Sequence, residues 1–88
     1  MHAKSFDLGI LDRDTVVTVV VRARANIRLM TEVNYLAYRR RQLYKMLGGV
    51  ALTPELKLTV PTTGHWFLVV DVDGLATPLL TPKVSVAR

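Results

Sequence analysis

Val60-Pro61-Thr62-Thr63-Gly64-His65-Trp66 lies between two alternating apolar runs, Leu56-Lys57-Leu58-Thr59 and Phe67-Leu68-Val69-Val70. Proline fixes one backbone angle and glycine admits conformations closed to other residues, so the stretch reads as a turn. Two β-type runs around it predict a hairpin, Leu56 to Val60 paired with Trp66 to Val72, that delivers the only tryptophan into a sheet. On the second run Trp66, Leu68, Val70 and Val72 share one face, while Phe67, Val69, Asp71 and Asp73 share the other. The first set is core material, because one large aromatic dominates the interior of a small domain.

Upstream, Thr15 to Val21 is the clearest strand, dense in β-branched residues. Val17, Val19 and Val21 occupy one face, and Val16, Thr18 and Val20 the other, which continues into Arg22 and Arg24. This predicts a strand covered on both sides at its start, with one face entering water near Arg22. Phe6-Asp7-Leu8 reads as a short first strand, followed by Gly9 and a polar turn at Asp12-Arg13-Asp14. Ala25-Asn26 reads as a turn and Ile27-Arg28-Leu29-Met30 as a returning strand.

Thr31 is placed to cap a helix by accepting an orphan amide, with Glu32 favourable in its first turn. The helix is predicted from Glu32 to about Arg39. Val33, Leu36, Ala37, Tyr44 and Leu47 keep helical spacing, with Arg40 interrupting the stripe. Residues 42–47 either continue the helix or switch to a strand, and Gly48-Gly49 is expected to stop whichever forms. Thr53-Pro54 and Asp73-Gly74 are turns. Thr77-Pro78 and Thr81-Pro82 interrupt the next stretch, and Lys83 to Val86 is a terminal edge strand, the position that nearby prolines tolerate.

About six short strands and one helix predict a mainly β fold: a small β-sandwich or partly closed barrel with a helical crossover. The alternative is α+β, with the helix packed across one face of an antiparallel sheet. No repeat or linker divides the chain, so residues 1–88 are read as one domain. Half of the residues are hydrophobic and 22% are charged, the composition of an ordered globular domain. Cysteine is absent, which excludes disulfide scaffolds, thiol catalysis and Cys-rich zinc sites. No run approaches the ~20 apolar residues of a membrane span. The N-terminus, Met1 to Asp7, has one lysine and no long apolar stretch, so a cytoplasmic protein is expected.

Asp7-Leu8-Gly9, Ile27-Arg28-Leu29-Met30, Asn34-Tyr35 with Tyr38-Arg39, Gly48-Gly49, and Val60-Pro61 through Gly64-His65-Trp66 follow one another in an order that resembles a small bacterial family, the domain-of-unknown-function family 1883. The Pro-x-x-Gly-His-Trp block is the most specific part, and the likeness covers most of the chain. The resemblance implies a compact, mostly β bacterial domain that occurs alone. It also implies a sensing or recognition role, because some relatives are joined to a TIR-type signalling domain. It supplies no activity and no catalytic residues. The chain departs from the family's pattern near Arg39-Arg40-Arg41 and Met46-Leu47, where relatives are richer in Gly, Ser or Tyr.

The net charge of +5 is unevenly distributed. Arg22, Arg24, Arg28, Arg39, Arg40, Arg41 and Lys45 are opposed between them only by Glu32. Guanidinium groups fork onto phosphates and carboxylates, and neighbouring tyrosines stack on bases or arginines, so Tyr38-Arg39-Arg40-Arg41 with Tyr35, Tyr44 and Lys45 is the leading site. Arg22, Arg24 and Arg28 extend it if strand and helix lie side by side. The plain reading is a solvated helix face. An acidic protein or small anion is the next reading, and nucleic acid the last, because no nucleic-acid motif accompanies the charge.

His65, beside Trp66, and Tyr38 are ligand candidates, although a structural role for His65 and core packing for Trp66 are the ordinary readings. Asp71-Val72-Asp73-Gly74 and Asp12-Arg13-Asp14 echo calcium loops but lack the later ligands, so both read as turns. No metal or cofactor is expected. Ser5 and Ser85, the only serines, sit in no nucleophile elbow, and Gly48-Gly49 lacks the lysine of a phosphate loop. The expectation is therefore a non-catalytic recognition module. Self-association through the Lys83–Val86 edge or the valine-rich strand, and single-stranded nucleic-acid binding, are the alternatives.

Overall fold

Alternation along residues 64–71 decides the architecture, because both faces of this run are covered by different parts of the chain. A computed structural model describes residues 3–87; Met1 and His2, where the reading of the N-terminus begins, lie outside them. The strands are β1 (Ala3–Leu11), β2 (Val16–Val20), β3 (Ala25–Thr31), β4 (Leu47–Ala51), β5 (Glu55–Thr59), β6 (Gly64–Asp71) and β7 (Lys83–Ala87), with one helix, α1 (Glu32–Arg39), between β3 and β4. They form two antiparallel sheets, β1-β6-β3-β4 and β5-β2-β7. Among the described residues the fold is a mainly β sandwich of seven strands, not a closed barrel. Its helix joins neighbouring antiparallel strands and makes no crossover.

Between the sheets, Ile27 and Leu29 of β3 and Trp66, Leu68 and Val70 of β6 meet Val17 and Val19 of β2. Trp66 is only 4% exposed, and its indole N–H donates to the Thr62 carbonyl at 3.0 Å. A buried tryptophan thus keeps its one polar group bonded. Val69 and Met30 point the other way and are also buried, beneath the helix side of the sheet. It is β6, not β2, that is covered on both faces. Val16, Thr18 and Val20 of β2 are half-buried on the outer surface of the three-stranded sheet.

The predicted hairpin is corrected. β5 pairs with β2, β6 pairs with β1 and β3, and residues 60–63 carry the chain from one sheet to the other. Val60 remains tied to the first sheet, donating its N–H to Thr15 and accepting from the Asp14 N–H, both at 2.8 Å. Crossing lets Leu58 and Trp66 face one another across a core, where a hairpin would leave them side by side on one half-wet surface. For the same reason β3 does not return beside β2. Arg22 to Arg24 carry the chain between sheets, and Ala25-Asn26 is the start of β3 rather than a turn.

Two glycines do different work from that expected. Gly9 is a bulge inside a nine-residue β1, not its end: φ is 73°, the register with β6 slips between Asp7 and Gly9, and its N–H donates to Asp7 Oδ1. Gly48 lies within β4 at φ 125°, where an added Cβ would run into the Ile27 carbonyl oxygen. The helix is stopped earlier, by Arg41. At φ 58° Arg41 donates to the Tyr38 carbonyl while the Gln42 N–H donates to that of Ala37, closing a Schellman motif without glycine. Residues 42–46 then run without regular structure into β4.

Candidate functional site

The outer face of the four-stranded sheet presents the odd-numbered side chains of β6 beside the even-numbered ones of β3, and α1 lies across them. Thr31 pairs with Trp66, Tyr35 stacks on Phe67 with centroids 4.2 Å apart, and Tyr38 lies near Asp71. The helix therefore runs antiparallel to β3 and ends over the Asn26–Asp71 end. None of its residues is fully buried. The expected apolar stripe faces away: Val33 is 77% exposed and Leu36 43%. Tyr35 and Tyr38 make the contact instead, because flat rings match the aromatic and polar surface below. Thr31 occupies the cap position but accepts no backbone amide; its hydroxyl accepts from Asn34 Nδ2 at 2.8 Å.

At one end His65 stacks on Phe67 at 4.8 Å and places Nε2 at 2.6 Å from Asp7 Oδ1 and Nδ1 at 3.4 Å from Glu32 Oε2. The imidazole thus links β1, β6 and the helix N-terminus. This bond, followed by the Gly9 N–H, holds the Asp7 carboxyl below its usual range.

At the other end Asp71, 1% exposed, receives Arg28 Nε at 2.8 Å, Asn26 Nδ2 at 2.7 Å and the Asp73 N–H at 3.1 Å. Burial pushes the Asp71 carboxyl up, and the bonds from Arg28, Asn26 and the Asp73 amide outweigh it, leaving its pKa lowered. Arg28 also donates to the Tyr44 hydroxyl at 3.2 Å. Arg28 is therefore removed from the expected basic patch. Asp71 does help shape its turn, as read, but its larger part, the buried counter-charge of Arg28, was missed. The available signal was that Arg28 and Asp71 both fall on the non-core face of apolar strands.

Tyr38 packs edge-on against Tyr44 at 5.2 Å, and burial raises its hydroxyl pKa. Arg39 lies 5.8 Å from the centre of the Tyr35 ring, a cation–π contact. Arg40 and Arg41 are exposed and have no carboxylate partner among the described residues. Lys45 is held through its backbone, donating to Asn34 Oδ1 at 2.8 Å, and its side chain lines a cleft with Met46, Leu47, Pro61 and Trp66. Arg22 and Arg24 line a separate cleft with Leu52 and Pro54. The expected cations thus fall into three groups: the helix end, the Lys45 cleft and the Arg22–Arg24 cleft. Among the described residues no cluster of His, Asp and Glu is arranged to hold a metal, and no helix is long and apolar enough to cross a membrane.

A family model described as "Domain of unknown function (DUF1883)" matches residues 1–88. The chain belongs to the DUF1883 family. No curated protein and no solved structure matches this DUF1883 chain.

Proposed function

We propose that this DUF1883 domain is a non-catalytic binding module that takes an acidic protein or anion on the cations at the end of α1. The observation that carries this reading is Arg41. A left-handed backbone costs a residue with a Cβ about 1–2 kcal/mol, and glycine is the usual occupant of this helix-end position. Arg41 makes no ion pair among the described residues that would offset that cost. Strain held at an exposed position points to function, because the two helix-end hydrogen bonds from the Arg41 and Gln42 amides would form equally well with glycine in that place. The two adjoining guanidiniums, Arg40 and Arg41, stand ready for forked bonds to carboxylates.

The test separates stability from binding. Arg41→Gly is expected to raise stability by roughly 0.5–1 kcal/mol, the relieved strain less the extra unfolded-state freedom of glycine. The same change weakens binding of labelled polyglutamate, measured by anisotropy at low salt. Arg40→Glu with Arg41→Glu abolishes that binding with the thermal midpoint nearly unchanged. Polyglutamate binding that ignores both changes refutes the reading.

A further inference from the structure

We infer that the open edge of β4 is a strand-addition site for an extended, acid-flanked segment of a partner protein. It goes beyond the helix-end reading above, since it uses Lys45, Arg22 and Arg24 rather than Arg40 and Arg41, and adds a backbone through which a partner is held. The sandwich has four edge strands, and three are protected. β1 carries Lys4, Asp7 and the Gly9 bulge; β5 carries Glu55 and Lys57; β7 begins at Lys83, after Pro82. Charges, bulges and prolines are the usual devices against edge pairing. β4, Leu47-Gly48-Gly49-Val50-Ala51, has no charge, no proline and no register slip, and its irregularity is confined to the positive φ of Gly48 and Gly49, 125° and 149°. Leu47 and Val50 are 38% and 44% exposed, and nothing lies within 4 Å of where a Gly49 Cβ would be. Glycine in a strand marks a place where another backbone approaches closely.

Each end of this edge opens into a cleft with its own cations. At the Leu47 end a space of about 170 Å³ begins at Lys45, Met46 and Leu47 and runs inward past Leu29 and Thr31 of β3 to Pro61 and Trp66. At the Ala51 end lies one of about 160 Å³ against Leu52 and Pro54, with Arg22 and Arg24. Five extended residues span about 17 Å. A segment with an apolar residue for each cleft and an acid just beyond each end therefore matches the edge in length and charge. Its main chain supplies the hydrogen bonds and its end residues the selectivity. A second copy of this chain fits poorly: antiparallel pairing of two β4 edges sets Lys45 of one against Arg22 and Arg24 of the other, and like charges repel.

The probe is a labelled peptide, Asp-Leu-Thr-Val-Thr-Leu-Glu, titrated against the intact chain by anisotropy. Binding is expected to fall about tenfold when lysine replaces both acids. N-methylation of the alternate amides on one edge of the peptide should abolish binding, and methylation on the other edge should leave it intact. Acid-dependent binding indifferent to both methylation patterns overturns strand addition while the acidic-partner reading stands. Equal binding of the lysine-ended peptide overturns the acid-flanked segment, whereas the Arg40 and Arg41 reading stands or falls on polyglutamate. A sedimenting dimer dissolved by Val50→Lys overturns the partner segment in favour of a second copy.

Discussion

Replacing Arg28 with methionine keeps an unbranched stem and removes the guanidinium that holds Asp71. The carboxylate left behind is 1% exposed and retains only Asn26 Nδ2 at 2.7 Å and the Asp73 N–H at 3.1 Å. Breaking a buried pair costs about 3–5 kcal/mol, and the two surviving donors place this site near 3. For a domain of this size that lowers the thermal midpoint by roughly 12–24 °C. The pH dependence is more diagnostic. In the native chain the Asp71 pKa is lowered, so its contribution to stability is present above the unfolded value, near 3.9, and is lost as pH falls through the folded one. Without Arg28 burial dominates and the folded pKa rises above the unfolded value. The penalty is then full at neutral pH and disappears below about 3.9. Urea unfolding followed by Trp66 fluorescence at pH 7 and pH 3.5 measures both. Arg28→Met with Asp71→Leu is expected to recover much of the loss, because two apolar side chains leave no orphan charge. A deficit under about 1 kcal/mol at pH 7, or one that grows toward pH 3.5, refutes the argument.

The glycines of β4 separate crowding from backbone strain. Gly48→Ala drives a Cβ into the Ile27 carbonyl at a positive φ and is expected to cost about 3 kcal/mol or more; Gly49→Ala meets open space and carries only the strain of its φ, roughly 1–2. Equal losses in chemical denaturation would contradict the assigned clash. His65→Asn removes the first cause of the low Asp7 pKa, so the Asp7 carboxyl should titrate closer to its ordinary value by carbon-13 NMR, still below it because Gly9 donates. Since that pKa is lowered by folding, Asp7 supports the native state above the unfolded value and loses that support as pH falls; an Asp7 titration unmoved by the substitution would be the contrary result.

Strict alternation made the two faces of β6 legible: the residues expected inward are inward, and Phe67, Val69 and Asp71 face the helix. The helix start was equally readable from Thr31-Glu32, and its extent to about Arg39 agrees, although the expected stop at Gly48-Gly49 lay too far along the chain. Strand partners were not, because the Pro61–Gly64 turn signal is the same whether the chain folds back within a sheet or steps across to another. The helix face was misread for a different reason. Spacing favoured Val33 and Leu36, but the surface beneath offers Phe67 and an ion pair, and that selects Tyr35 and Tyr38. Arg41 gave no sign of ending a helix, since left-handed arginine has no compositional signature. The cations were visible as a set; their division among three places depends on strand order.

The pairing of β1 with β6 carries a consequence for synthesis. Ala3 meets Asp71, so β1 is made well before β6 and waits for it. β2 likewise gains its neighbours only when β5 and β7 have been made. Such distant partnerships slow folding toward the millisecond-to-second range. During that interval the bare Val16-Val17-Thr18-Val19-Val20 run is open to chaperones, or to the same run on a neighbouring nascent chain.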